Sequence, residues 1–247
     1  TVGSLGVPGD LARNFLNKKL QFHNVQLSDK VDVALHAVGI DEKRDEFAPT
    51  LWVNNTGVVA RNQIVEQVWF AGVHSNIGGS YKDSGLSDVA LDWMLKRVMQ
   101  HTDLIFDPDY INQCVNPNIK GKCVESRSAL YLSSKIYPFQ RLIQQVIPAG
   151  KGLCGWFRNS FKKFSRRSIQ IDGLKTINEM LHVSTLERWQ VPVVNDYVEG
   201  RKVRTGDYRP INLISAIEAQ KNVTITLPVV GWDGDLINPS DVSWPVI

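Results

Sequence analysis

The chain of 247 residues is long enough for one large or two small domains, and its 43% hydrophobic and 21% charged content is that of an ordinary globular protein. A net charge of +3 is too small to point to nucleic acid, no apolar run approaches the ~18 residues of a membrane-spanning helix, and no secretory signal is visible. Three cysteines (Cys114, Cys123 and Cys154) form no Cys-x-x-Cys pair, which argues against a disulfide framework and a structural zinc site but leaves a single Cys114–Cys123 bridge open in an oxidising compartment.

The chain begins Thr1-Val2-Gly3-Ser4-Leu5-Gly6 without a Met, so position 1 is not expected to be a native translation start. Residues 1–10 read as a loop leaving a strand. Leu11 to Leu20 reads as a short helix with Asp10 as its N-cap. Val31, Ala34, Leu35 and Val38 recur at helical spacing and predict a second helix, Val31 to Gly39, with His36 on its apolar side. Asp41-Glu42-Lys43-Arg44-Asp45-Glu46 reads as a solvated charged face. Thr50-Leu51-Trp52-Val53 reads as a strand, and Asn54-Asn55-Thr56-Gly57 as a turn.

The most informative stretch comes next. Val68 to Val73 is an apolar run that reads as a buried strand ending at His74. Ser75, Asn76, Gly78, Gly79 and Ser80 then form a polar turn, whose two glycines suit positive φ. A helix follows from about Ser87, its predicted N-cap, to His101, with Val89, Ala90, Trp93, Met94 and Arg97 on one face. Ligands of open α/β sheets sit outside the carboxyl ends of the strands, so this places a histidine where catalysis happens. A lone histidine at such a position also has a plain structural reading.

Beyond residue 105, Asp107-Pro108-Asp109 is a turn or helix start, and residues 114–155 read as a long insertion or cap. From Lys151 to Arg167 there are six basic residues and no acid, with Phe157, Phe161 and Phe164 at helical spacing. Such a basic aromatic helix either lies on an anionic membrane or packs its Phe stripe on the domain. Residues 174–189 read as a helix containing His182, Asp207 to Leu213 as a turn, and Val223 to Leu227 as a strand by β-branched content.

Three segments together go beyond generic pattern. They are Thr1-Val2-Gly3-Ser4-Leu5-Gly6-Val7-Pro8; His36 to Arg44 running on to Phe47-Ala48-Pro49-Thr50-Leu51-Trp52; and Gln67-Val68-Trp69-Phe70-Ala71-Gly72-Val73-His74-Ser75-Asn76-Ile77-Gly78-Gly79-Ser80-Tyr81 with Gly85 to Met94 after it. In this order the chain resembles the α/β-hydrolase family filed as domain of unknown function 2235, which includes phospholipase effectors of type VI secretion. The likeness is dense over 1–106, thin over 107–173 and patchy afterwards, where His182 to Arg188 and Tyr208 to Leu213 resemble the family's C-terminal end.

The resemblance implies a Ser-Asp-His triad in that chain order. His74 matches its histidine. No Gly-x-Ser-x-Gly elbow occurs in the chain, and the family's acid stands directly before the residue matched by Thr1. The family has Asp where Asn76 stands and Gly where Ser80 stands. Asn76 keeps hydrogen-bonding capacity but removes a charge near the imidazole.

These readings give an expected fold class of α/β, part of an α/β-hydrolase fold with a mostly parallel sheet flanked by helices and a mixed or helical insertion. Residues 1–106 are the expected C-terminal part of the catalytic core, 107–173 an insertion or cap, and 174–247 a helix, strand and tail packed on the core. The expected function is part of a serine ester hydrolase, lipolytic, with His74 catalytic and Ser75, Asn76 and Asp41 as supporting candidates. The rival is an inactive hydrolase-derived binding or structural module. Trp156, Phe157, Phe161, Lys162, Lys163 and Phe164 are candidate membrane contacts. No cofactor, metal or nucleic acid is expected. The expected partners are an N-terminal hydrolase segment, on the same or a companion chain, and a lipid or ester. The compartment stays open between the cytoplasm and delivery to a target cell.

Overall fold

The computed structural model describes residues 27–28, 30–44, 47, 49, 51–54, 59, 62–126, 143–145, 175–192, 194–198 and 201–247. The predicted helix at 11–20, most of the predicted turn at 54–57 and the basic aromatic segment 156–167 lie outside them. In chain order the elements are β1 (Val33–Gly39), β2 (Val53–Asn54), β3 (Ile64–Phe70), α1 (His74–Gly78), α2 (Gly85–His101), α3 (Pro108–Cys114), β4 (Cys123–Val124), β5 (Lys175–Thr176), β6 (Glu179–His182), α4 (Val183–Gln190), β7 (Val194–Val198), β8 (Arg201–Gly206), α5 (Ile211–Lys221) and β9 (Val229–Val230).

The main sheet runs β1-β3-β6-β9, and every pairing in it is parallel. It draws two strands from the first hundred residues and two from the last seventy-five. The twofold alternation of strand side chains sorts the core into two layers. Val68, Phe70, Met180 and Val230 face Val89, Ala90 and Trp93 of α2. Val38, Trp69, Leu181 and Val229 face Leu186 and Trp189 of α4 and Leu213, Ala216 and Ile217 of α5. Helices on both faces of a mostly parallel sheet make this an α/β fold, as expected.

One buried polar side chain stitches the inner strands to their neighbours. Gln67 is fully buried, and its Oε1 accepts from the Trp52 backbone N–H at 2.7 Å. Its Nε2 donates to the carbonyls of Ile177 at 2.6 Å and Trp52 at 3.1 Å. On the α2 face, Arg97 is held by Glu66 and reaches Asp235 of the tail at 3.1 Å.

Several expectations are corrected. Val31 to Gly39 is not a helix. Residues 33–39 form β1, in parallel register with Ile64–Phe70. A parallel strand covered on both faces need not alternate apolar with polar, so its apolar spacing can coincide with that of a helix. The strand after Glu66 stops at Phe70, and the polar turn is the short helix α1. Helix α2 starts at Gly85, so Ser87 lies inside it, its Oγ bonded to the Ser84 carbonyl at 2.8 Å. In place of the predicted helix over 174–189 stand two short strands, β5 and β6, and then α4; His182 caps α4 rather than lying within it.

The predicted turn at 207–213 runs into α5 at Ile211. The β-branched run 223–227 is not a strand. Val223 has φ +56°, and Thr224 N–H bonds back to the Ala219 carbonyl at 2.9 Å. These contacts close α5, and the strand forms later at β9. Cys114 is exposed and Cys123 buried, and no bridge joins the two. Within the charged stretch Glu42 is not on a solvated face, because it is only 2% exposed; residues 45 and 46 lie outside the described residues.

Candidate active site

The carboxyl end of the sheet gathers the candidate residues. After β3, Ala71, Gly72 and Val73 are buried, and His74 opens α1 with its side chain exposed. Two glycines make this shape. Gly72 sits at φ +124°, and a Cβ there would lie 2.6 Å from Asn76 Cβ. Gly79 ends α1 in the left-handed region at φ 79°.

Two neighbouring carboxylates at the end of β1 pin this turn. Asp41 brackets Gly72: its backbone N–H donates to the Gly72 carbonyl at 3.0 Å, and Gly72 N–H donates to Asp41 Oδ2 at 2.7 Å. Glu42 Oε2 accepts from His74 N–H at 3.4 Å. Burial works against the charge of Glu42, but the bonds from Arg44 and Ser126 outweigh it and hold the carboxyl below its usual range. Asp41 goes the other way. Its burial raises the carboxyl, and the bonds from Gly72 and Tyr208 offset this only in part.

The His74 ring packs against Phe47 with ring centroids 5.3 Å apart, and the Arg44 guanidinium lies over the other ring at 3.8 Å. Arg44 also forms the ion pair with Glu42 at 2.9 Å. Among the described residues, Glu42 and Phe47 meet His74, and Arg44 holds both of them. An imidazole held by its backbone yet open to solvent can take up and release a proton at an incoming group.

The remaining candidates separate clearly. Ser75 is half-buried and faces Tyr81, whose hydroxyl is pushed up by burial. Asn76 is 1% exposed and held by three hydrogen bonds. Its Oδ1 accepts from Val73 N–H at 3.3 Å and Val124 N–H at 3.2 Å, and its Nδ2 donates to the Lys122 carbonyl at 2.9 Å. The last bond needs an amide, which an ionised aspartate cannot supply. His36 lies in β1, bonded to Gln67 at 3.3 Å, and burial lowers its pKa. His182 is buried between Phe70 and Trp232. Sequence reasoning missed Glu42, Phe47 and Tyr208. The first was legible in principle, since it follows Asp41 directly beyond a strand. Tyr208 gives no such signal, because 167 positions separate it from its partner Asp41.

Among the described residues, no group of three or more His, Cys, Asp or Glu gathers as a metal site, and no helix is long and apolar enough to cross a membrane.

A family model of the catalytic domain of Tle1-like phospholipase effectors of type VI secretion matches residues 1–97, less than half of the chain. The matched segment is similar to that domain and contains β1, β3, α1, Asp41, Glu42 and His74. No curated protein and no solved structure matches the chain.

Proposed function

We propose that this chain supplies the histidine of a serine ester hydrolase acting on lipid, of the phospholipase-effector kind. The supporting observation is an exposed His74, set beyond the carboxyl end of an inner parallel strand and pinned by Asp41 and Glu42, inside the segment that matches a phospholipase-effector catalytic domain. In this reading His74 takes the proton of a serine hydroxyl as the serine attacks the ester carbonyl. It then gives that proton to the leaving alcohol. The serine and the acid that orients the imidazole belong to an α/β-hydrolase segment outside these 247 residues, the serine in a Gly-x-Ser-x-Gly elbow and the acid just before Thr1. The second reading is an inactive hydrolase-derived module, favoured by the lack of any such elbow in the chain.

The test is a fluorophosphonate probe and a phospholipid-hydrolysis assay on the polypeptide that carries this chain together with its upstream segment. The expected result is labelling of one serine in the wild type, with labelling and hydrolysis both lost in His74→Ala. Hydrolysis unchanged by His74→Ala would overturn the assignment. No labelling and no hydrolysis in the wild type would favour the inactive module.

A further inference from the structure

The turn that presents His74 is held from outside the family-matched segment. Asp41 Oδ2, which accepts from Gly72 N–H, also accepts the Tyr208 hydroxyl at 2.8 Å, and the Cys123 thiol lies 3.9 Å away. Tyr208 is 5% exposed, on the stretch between β8 and α5. Over its ring, at 5.1 Å, lies the guanidinium of Arg188 from α4. Arg188 is fully buried. Its Nη1 donates to the carbonyls of Ile119 and Gly121, while Nε and Nη2 have no hydrogen-bond partner among the described residues. A buried guanidinium with unmet donors is costly unless a counter-charge stands near, and Asp41 is the carboxylate whose charge it favours.

We infer that Tyr208 and Arg188 are positioning residues: acting through Asp41, they fix the Gly72 peptide and so set the direction in which His74 is presented. Tyr208 stops the Asp41 carboxylate from rotating off Gly72. Burial raises the Asp41 carboxyl, and the charge of Arg188, together with the bonds from Gly72 and Tyr208, works against that rise; Cys123 and Lys43 are the other groups that face it. A shift of ~1 Å in a catalytic group can cost ~100-fold in rate, so a bond two residues from His74 matters. This inference rests on the proposal that His74 is the catalytic base.

The experiment uses the 247-residue chain, isotopically labelled, as wild type, Tyr208→Phe and Asp41→Asn. Amide exchange at Gly72 and the pH dependence of its amide resonance are read by NMR. In Tyr208→Phe the Gly72 amide is expected to exchange ~10-fold faster, the equivalent of one lost hydrogen bond. Losing a donor to the charged form also moves the pH midpoint upward. In Asp41→Asn the pH response disappears. Wild-type exchange and midpoint in a folded Tyr208→Phe would overturn the inference, as would a persisting pH response in Asp41→Asn.

In the hydrolase itself, Tyr208→Phe is expected to lower kcat ~10-fold with KM unchanged and to move the acid limb of the pH profile upward. If the NMR response is present but His74→Ala keeps full activity, the base assignment has failed and the positioning network has not.

Discussion

Two histidines stand at the carboxyl ends of neighbouring parallel strands, each at the start of a helix, and they have opposite surroundings. His74, beyond β3, is exposed beside Phe47 and Glu42. His182, the last residue of β6, is completely buried, stacked on Phe70 at 4.8 Å and edge-on to Trp232 at 5.2 Å. Burial lowers the His182 pKa to about 3, so its ring is neutral at any ordinary pH. Its Nδ1 accepts from the Ser184 N–H and hydroxyl, which makes it the cap of α4. Position at a strand end therefore does not make a histidine a proton carrier. Such a role needs access as well, because only a ring that can be charged and discharged can shuttle a proton.

The sharpest way to break this comparison is to truncate both rings. His182→Ala is expected to lower unfolding free energy by about 3 kcal/mol, through a cavity between two aromatic rings and a lost helix cap. His74→Ala should change it by no more than about 0.5 kcal/mol, because the side chain is exposed. In the hydrolase the order reverses: His74→Ala should lower kcat ~1,000-fold or more, whereas folded His182→Ala should keep its activity. Urea denaturation and turnover assays on the two variants measure both. A large stability loss in His74→Ala would mean that the exposed ring is structural.

The next effect is on pH. A histidine whose folded pKa is depressed stabilises fully above its unfolded value of ~6.5, and that stability drains as pH falls toward about 3. Between pH 7 and pH 5 the loss assigned to His182 is about 2 kcal/mol, from ~1.5 pH units below the unfolded pKa at ~1.36 kcal/mol each. His182→Asn keeps a capping acceptor but cannot titrate in this range, so its urea midpoint should change much less between the two pH values. An equal slope in both proteins would place the titration elsewhere.

The contrast also marks what could be read from sequence. The run Val68–Phe70 and the helix after Gly85 were legible, because a continuous apolar run and a one-faced periodicity are strong local signals. His74 was legible by its place after such a run. β1 was not, because Val31, Ala34, Leu35 and Val38 satisfy a helical spacing, and only pairing with Ile64–Phe70 decides for strand. Residues 223–227 misled for the opposite reason. Their β-branched content favours a strand, but the end of α5 claims their backbone N–H groups first. The site was half legible. Asp41 stood out as a nearby acid, yet Glu42 looked solvated, because sequence does not show that Arg44, Ser126 and the His74 turn close over it.

The smallest effect comes from the serines that follow each histidine. Ser184 is 4% exposed, and its hydroxyl donates to His182 Nδ1 at 2.7 Å. Ser184→Ala removes that bond in a dry site and is expected to cost about 1 kcal/mol at pH 7. Ser75 is only half-buried beside Tyr81, and Ser75→Ala should cost less than Ser184→Ala at pH 7 and leave the pH slope unchanged. Urea midpoints at pH 7 and pH 5 separate the pair. If Ser75→Ala proves the costlier change, the turn at His74 is the more rigid of the two, and the division between a structural and a chemical histidine is drawn in the wrong place.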